Sequence, residues 1–383
     1  MPLVRRTEVI HDRDGLKHIV CYSFVTWRPS LAVTNPGTSC AIVGGGYAGI
    51  ATAIELRQLG FTGKVTLFDA RPAHQKITQW HKLARGDEAS KYEEPFTALA
   101  RKFRFAFVQQ QVDVRQLLSD PGKALGATFG SIVVAQGSHT PARPPNVITF
   151  DDLRDDESRQ RELRTLKGRD IAVVGGGPTG VQFAFEFAER GNRVILYEAR
   201  DRLLPSFDYS LGAIALQAAS DAGIDVRCNT EFLYYENGIV TSKSGLNELT
   251  DRTDYALFVP GVRSTPSVVC DVYGRIEGLP HQNLYAAGDN SYFSGPGLNA
   301  KSAQAAVRKG QHVARTIVAA LAGKAPTTYS YAELGYFVSL GPRNAVGYLL
   351  SQKTAFSGRG ALFMKEAIER QYNLYLAGLP VYP

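Results

Sequence analysis

Cysteine is scarce and poorly spaced for chemistry. Cys21, Cys40, Cys228 and Cys270 are the only four among 383 residues, and none stands in a CxxC or CxxxxC pair. That excludes a zinc knuckle and a dithiol redox couple, and the scatter suits a reducing compartment. Long apolar runs are missing too: nothing approaches the roughly 18 uninterrupted residues a spanning helix needs, so the chain does not cross a membrane by itself. The first forty residues hold one short apolar run, Ile19 to Val25, with Glu8, Asp12 and Asp14 ahead of it. Those acids argue against a signal or transit peptide, and the stretch reads as an extension or a strand leading into the first domain. His74, His139 and His281 show no metal-ligand spacing, and no GxSxG nucleophile motif occurs. Trp80 and His81 read as a packing aromatic and an exposed histidine.

The remaining composition is that of a folded soluble protein. With 44% hydrophobic and 21% charged residues, disorder and collagen-like structure are excluded. The length exceeds what one core fills, which favours two or three domains sharing a cleft. A net charge of +7 would favour anionic lipid or an acidic partner, but most of it reads as solvated surface, and it does not by itself imply nucleic acid.

What is present is a repeat. CAIVGGG, from Cys40, is an apolar run entering glycines; YAGIATAIELRQLG then carries Ile50, Ile54 and Leu56 at helical spacing before Gly60, and KVTLFDA ends in Asp69. Strand, tight turn, helix and strand return about 130 residues later as IAVVGGGPTG, VQFAFEFAERG and RVILYEA, ending in Glu198. Gly44, Gly46 and Gly49, and again Gly175, Gly177 and Gly180, suit a tight turn, a close approach of backbone to a pyrophosphate, and close helix packing. Asp69, twenty residues beyond Gly49, and Glu198, eighteen beyond Gly180, are placed to accept ribose hydroxyls. A carboxylate at Glu198 favours NADH over NADPH, although Arg200 and Arg202 follow closely. The fold class implied is α/β: two Rossmann-like dinucleotide-binding domains and a smaller C-terminal α+β cap.

GGGYAG, AQGS, GGGPTG and AAGD occur in that order between Cys40 and Ala320. This chain resembles the two-dinucleotide-binding-domain flavoproteins, the FAD-dependent pyridine nucleotide oxidoreductase superfamily. The resemblance implies FAD in the first unit and NAD(P)H in the second. It also implies Asp289 on the FAD ribityl and phosphate region, and nucleotide-lining strand ends at Gly137, Gly288 and Gly261. The expected division is an extension over 1–39, FAD-binding segments over 40–150 and 276–325, an NAD(P)H-binding domain over 151–275 and a cap over 326–383.

Within the superfamily, HQKITQWHKLARG offers no cysteine pair and no convincing cysteine follows Cys228. The chain is therefore most similar to type II NADH:quinone oxidoreductases and apoptosis-inducing-factor-like proteins. Ser302-Ala303-Gln304-Ala305-Ala306 resembles the signature that sets a glutamine beside the flavin, and YFVSLGPRNAVG resembles the cap strand. Gln182 stands where the quinone enzymes read glutamate, so any proton that glutamate handles must come here from water or another group. Arg308 and Lys309 replace glutamines further along the helix. Gln304, Gln182 and Lys301 are the candidate catalytic residues, with Lys301 and a helix starting near Asn299, after Gly295-Pro296-Gly297, opposing negative charge on reduced flavin.

The activity implied is transfer of hydride from NADH to FAD and on to a quinone-type acceptor, without a redox disulfide. A ferredoxin or other redox-protein reductase, and an NADH-sensing interaction protein, remain open alternatives. The expected location is the cytoplasm, peripheral on the cytoplasmic face of a membrane. In the C-terminal segment Leu362, Phe363, Ile368, Tyr372, Tyr375 and Leu379 would face lipid, with Arg359, Lys365 and Arg370 at headgroups. Packing of that segment on its own protein, or on a second copy as a homodimer, is the other reading.

Overall fold

The apolar run at Cys40 becomes the strand Ser39–Val43, buried along nearly its whole length. It lies at the centre of a five-stranded parallel sheet, in the order Leu284–Ala286, Ser131–Val134, Ser39–Val43, Lys64–Asp69, Ala106–Gln109. Apart from the exposed edge strand Ala106–Gln109, these strands read as near-continuous apolar runs because a parallel sheet is covered on both faces. Chain order reverses beside Ser39–Val43, since its successor pairs on one side and Ser131–Val134 on the other. That reversal opens a crevice at the strands' carboxyl ends, where α/β sheets bind ligands. The computed structural model describes residues 3–11, 17–25, 38–140, 144–262, 267–281, 283–295 and 297–382, the first two of these segments by their backbone only.

The second glycine motif begins the same design again. Asp170–Val174 is central in a parallel sheet ordered Asp225–Arg227, Arg193–Tyr197, Asp170–Val174, Tyr255–Phe258, Ile148–Thr149. A three-stranded antiparallel meander, Thr230–Glu236, Ile239–Ser244 and Asn247–Arg252, fills the connection between its edge strand and Tyr255–Phe258. The chain is thus α/β with two Rossmann-like sheets. Leu3–His11 and Lys17–Val25 form an antiparallel hairpin, so the Ile19 to Val25 run is a strand.

The C-terminal segment joins the two halves. Its antiparallel strands Gly335–Ser339, Ala345–Leu349 and Phe356–Ser357 are followed by the helix Arg359–Leu376. Val338, Val346 and Tyr348 enter the core built on the second sheet, while Tyr372, Tyr375 and Leu376 enter the core built on the first. Burying both faces of this cap ties the sheets together by the same apolar transfer that holds each one, about 25 cal/mol per Å² of apolar surface.

Candidate active site

Each glycine turn is packed for a reason that the local geometry states. A Cβ on Gly44, at φ +106°, would lie 2.3 Å from the Ala135 carbonyl oxygen, and one on Gly175, at φ +114°, would lie 2.4 Å from that of Val259. At Gly49 and Gly180 it would lie 1.9 and 1.8 Å from the carbonyl oxygens of Gly44 and Gly175. Gly46 and Gly177 differ. Their φ values of −71° and −72° suit any residue, and a Cβ on either would meet no atom within 4 Å. They begin the helices Tyr47–Gln58 and Pro178–Glu189, neither of which has a capping side chain. Orphan helix amides facing open space fit a pyrophosphate at both places.

The two acids sit as the repeat demands. Asp69 accepts hydrogen bonds from the amides of Gly45 (2.7 Å) and Arg71 (2.9 Å). Glu198 does the same from Gly176 (2.7 Å) and Arg200 (2.8 Å). Each carboxylate oxygen keeps a second lone-pair site for a ribose hydroxyl.

One cavity of about 620 Å³ collects most of the expected residues. Gly44, Gly46, Asp69, Gly137, Gly288 and Asp289 line it from the first sheet, Gln182 and Gly261 from the second, and Lys301 and Gln304 from the segment after the glycine-rich loop. Gly49 stands behind this wall, and Gly175, Gly177, Gly180 and Glu198 remain on the second sheet's own turn; Pro178 and Thr179, directly after Gly177, reach the wall. Asp289 accepts from the Ser138 hydroxyl at 3.0 Å. Burial pushes its carboxyl up, against the pull of that hydrogen bond, Lys301 and Lys309.

The helix expected from near Asn299 begins instead at Ala303, with the Ser302 hydroxyl capping the Ala305 amide. Asn299 is otherwise engaged: its side chain exchanges hydrogen bonds with both backbone groups of Phe293, closing the loop. Lys309 secures the same loop, donating to the Ser291 carbonyl (2.8 Å) and Asn299 Oδ1 (3.2 Å) and lying 4.8 Å over the Phe293 ring. Burial pulls its ammonium down to about 8. Pro296 lies outside the described residues. Gln304 Oε1 is 3.5 Å from the Tyr331 hydroxyl, which is 3.3 Å from Glu333, another residue of the cavity wall.

His81 is not exposed. The 3₁₀ segment Ile77–Arg85 turns Trp80 and His81 inward, leaving His81 2% exposed in the cavity wall. Gln182 Nε2 donates to Ser339 Oγ (3.1 Å), which lies 3.0 Å from His81 Nε2. His74, also buried, bridges the Gly45 carbonyl and the Tyr372 hydroxyl, and burial lowers its ring to about 4. His81, His74, Ser339 and Glu333 belong to no local motif; packing alone assembles them.

Thiol chemistry finds no support among the described cysteine side chains. Cys40 and Cys270 are buried and unpaired, with thiols pushed up to about 12, and burial raises Cys228 as well, so little thiolate forms near neutrality. The Cys21 side chain lies outside the described residues. Among the described residues no histidine, cysteine and carboxylate cluster could hold a metal, and no helix is long and apolar enough to cross a membrane. The C-terminal segment corrects one expectation: Tyr372, Tyr375 and Lys365 are buried and Ile368 lines the cavity, which leaves Phe363 (66% exposed) and Leu379 outward with Arg359 and Arg370.

Residues 38–310 match the family described as pyridine nucleotide-disulphide oxidoreductase. A type II NADH:quinone oxidoreductase of Staphylococcus aureus is 26% identical, over 88% of this chain and 96% of that protein. Among solved structures, the sulfide:quinone oxidoreductase of Aquifex aeolicus superposes with a TM-score of 0.72 at 17% identity, covering 91% of this chain and 93% of the other. NDH2 from Plasmodium falciparum, in complex with NADH, superposes with a TM-score of 0.70 at 14% identity, covering 88% and 94%.

Proposed function

The chain belongs to the pyridine nucleotide-disulphide oxidoreductase family, and on that premise we propose that it oxidises NADH through bound FAD and reduces a quinone-type acceptor. The observation that carries this reading is convergence: the helix starts of both glycine repeats, at Gly46 and at Pro178, reach the same cavity. Two dinucleotides held there would bring their reactive rings together, and FAD, when bound, supplies the two-electron step between donor and acceptor. The similarity to a type II NADH:quinone oxidoreductase over nearly its whole length favours a quinone as that acceptor.

The roles follow from position. Gly44, Gly46, Gly49 and Asp69 would hold the FAD pyrophosphate and ribose, and Gly137, Gly288 and Asp289 would hold the part nearer the ring. Gly175, Gly177, Gly180 and Glu198 would hold NADH, with Gly261 beside it, and the Glu198 carboxylate would repel a 2′-phosphate. Lys301 and the helix start at Ala303 would oppose negative charge in the cavity, while Gln304 and Gln182 would position the acceptor. In this reading residues 40–150 and 276–325 form the FAD unit, 151–275 the NADH unit and 326–383 the cap, with two corrections at the joins: Ile148–Thr149 belongs to the second sheet, and Val268–Cys270 pairs with Ser291–Phe293 of the FAD unit. Exposed Phe363 and Leu379, with Arg359 and Arg370, support peripheral contact with an anionic membrane, where quinones reside.

An anaerobic visible spectrum of the purified protein tests the proposal. NADH should bleach an oxidised-flavin band faster than NADPH does, and a soluble quinone should restore it rapidly. Bleaching without recovery would replace the quinone by a protein acceptor, and a protein that takes up no FAD would refute the reading.

A further inference from the structure

Glu186 lies one helical turn beyond Gln182 on Pro178–Glu189, so both side chains leave the same face of the helix. Gln182 lines the cavity, whereas Glu186 lies behind it, 1% exposed. Among the described residues no group hydrogen-bonds its Oε2, and its Oε1 stands 4.0 Å from His81 Nε2. His81 itself lines the cavity, and through Ser339 it is linked to Gln182. A carboxyl thus sits one imidazole away from the cavity, with one oxygen that has no hydrogen-bond partner among the described residues. Leaving such an oxygen buried costs about 1–3 kcal/mol, and a packing role does not account for that cost.

We infer that Glu186 and His81 form the proton-supplying pair of this cavity, Glu186 holding the proton and His81 presenting it, in place of a carboxylate at position 182. The inference rests on the quinone-type reading above. NADH delivers two electrons and one proton, and a quinol carries two protons, so one more must come from elsewhere. That proton leaves a Glu186 oxygen, bonds to His81 Nε2 and passes from the imidazole to the acceptor oxygen. The carboxylate left behind takes a proton back from water.

The surroundings suit this cycle. Burial raises the Glu186 carboxyl to about 7, against the pull of Arg85, Lys365 and Lys82, with Asp87 adding to the rise. Burial, with Lys365, Lys82 and Arg85, holds His81 well below its usual value, against a hydrogen bond to the Thr78 backbone, so the ring is neutral; its Nε2 shares Ser339 Oγ at rest and must exchange that contact for the Glu186 proton. Lys82 and Lys365 both bridge Glu369, which keeps two cations beside the emptied carboxylate. The 4.0 Å separation must shorten by roughly 1 Å during turnover, as catalytic hydrogen bonds commonly do once substrate is bound.

The test compares wild type with Glu186→Gln, each loaded with FAD and reduced by NADH, then reoxidised by a soluble benzoquinone or by ferricyanide, which takes electrons without protons. The quinone rate should fall about a hundredfold in the variant and lose its decline above neutral pH, while reduction by NADH and reoxidation by ferricyanide stay unchanged. An infrared difference spectrum should show a carboxylic-acid C=O band that titrates near neutrality in wild type and is missing from the variant. A variant with the wild-type quinone rate, or a wild type without that band, overturns the inference. Failure of wild type itself to use the quinone would instead refute the acceptor reading, and the proton-supplying role would fall with it. If Glu186→Gln does not retain flavin, His81→Gln takes its place with the same two oxidants.

Discussion

Gly310 is pressed against the carbonyl oxygen of Ala48: a Cβ placed on the glycine would lie 2.2 Å from it. The two belong to the helices Ala303–Leu321 and Tyr47–Gln58, and the Thr52 hydroxyl joins them, 2.9 Å from the Ala48 oxygen and 3.2 Å from that of Gly310. Ala48 also touches Gly288, where a Cβ would come within 3.0 Å of its side chain. This crossing therefore sets how close Gln304, on the second helix, stands to the Gly46 turn.

Gly310→Ala should force the helices apart, because backbone rather than a movable side chain opposes the new methyl. The expected cost is about 2 kcal/mol, with weaker flavin retention. Thermal denaturation with and without added FAD would measure both effects, and an unchanged midpoint would contradict the packing argument.

Glycines at 46 and 49 should respond in opposite ways. Gly49→Val meets the Gly44 carbonyl and should yield little folded protein. Gly46→Val carries its Cβ into open space, with no atom within 4 Å, so a normal fold by circular dichroism with FAD affinity reduced at least tenfold, by fluorescence titration, is expected. Loss of fold in both variants would mean that the space at Gly46 serves the protein rather than a phosphate.

Glu198→Gln should narrow the preference for NADH over NADPH, since the amide no longer repels a 2′-phosphate. Gly177→Val should raise KM for both donors and leave FAD content unchanged. Steady-state kinetics with each donor distinguishes the two. A variant that loses FAD instead would reverse the assignment of the two repeats.

Glu186 should also shape stability against pH. Its carboxyl is raised in the folded state, from 4.5 to about 7, so the folded form binds its proton more tightly than the unfolded one. The stability this contributes, on the order of 3 kcal/mol, is fully present below the unfolded value and is lost as pH rises through about 7. Glu186→Gln removes that dependence. Denaturant unfolding of both proteins on either side of this window should show a steeper decline in wild type, and parallel curves would place the carboxyl's pKa elsewhere.

Much of the site is written in short stretches of chain. Gly44, Gly46, Gly49 and Asp69, and their second copies, are legible because a strand, a turn and a helix satisfy one another within about thirty residues, and only glycine tolerates the contacts made at Gly44 and Gly49. The order of the four motifs carries Asp289 along with them, and the Ser302–Ala306 resemblance singles out Gln304. The groups around His81 are different in kind. His81 and Ser339 are 258 residues apart in sequence and meet because the cap strand Gly335–Ser339 and the segment Ile77–Arg85 pack on one helix. A nine-residue 3₁₀ segment has too little periodicity to reveal that His81 points inward. Amphipathicity in Arg359–Leu376 likewise says that one face is buried, but the partner of that face decides that Tyr372 and Tyr375 enter the first core rather than lipid. The sequence by itself determined the two glycine turns, whose geometry is local. Only the tertiary structure decided which buried acid stands behind the cavity, because desolvation and proximity arise from elements that meet only once the chain has folded.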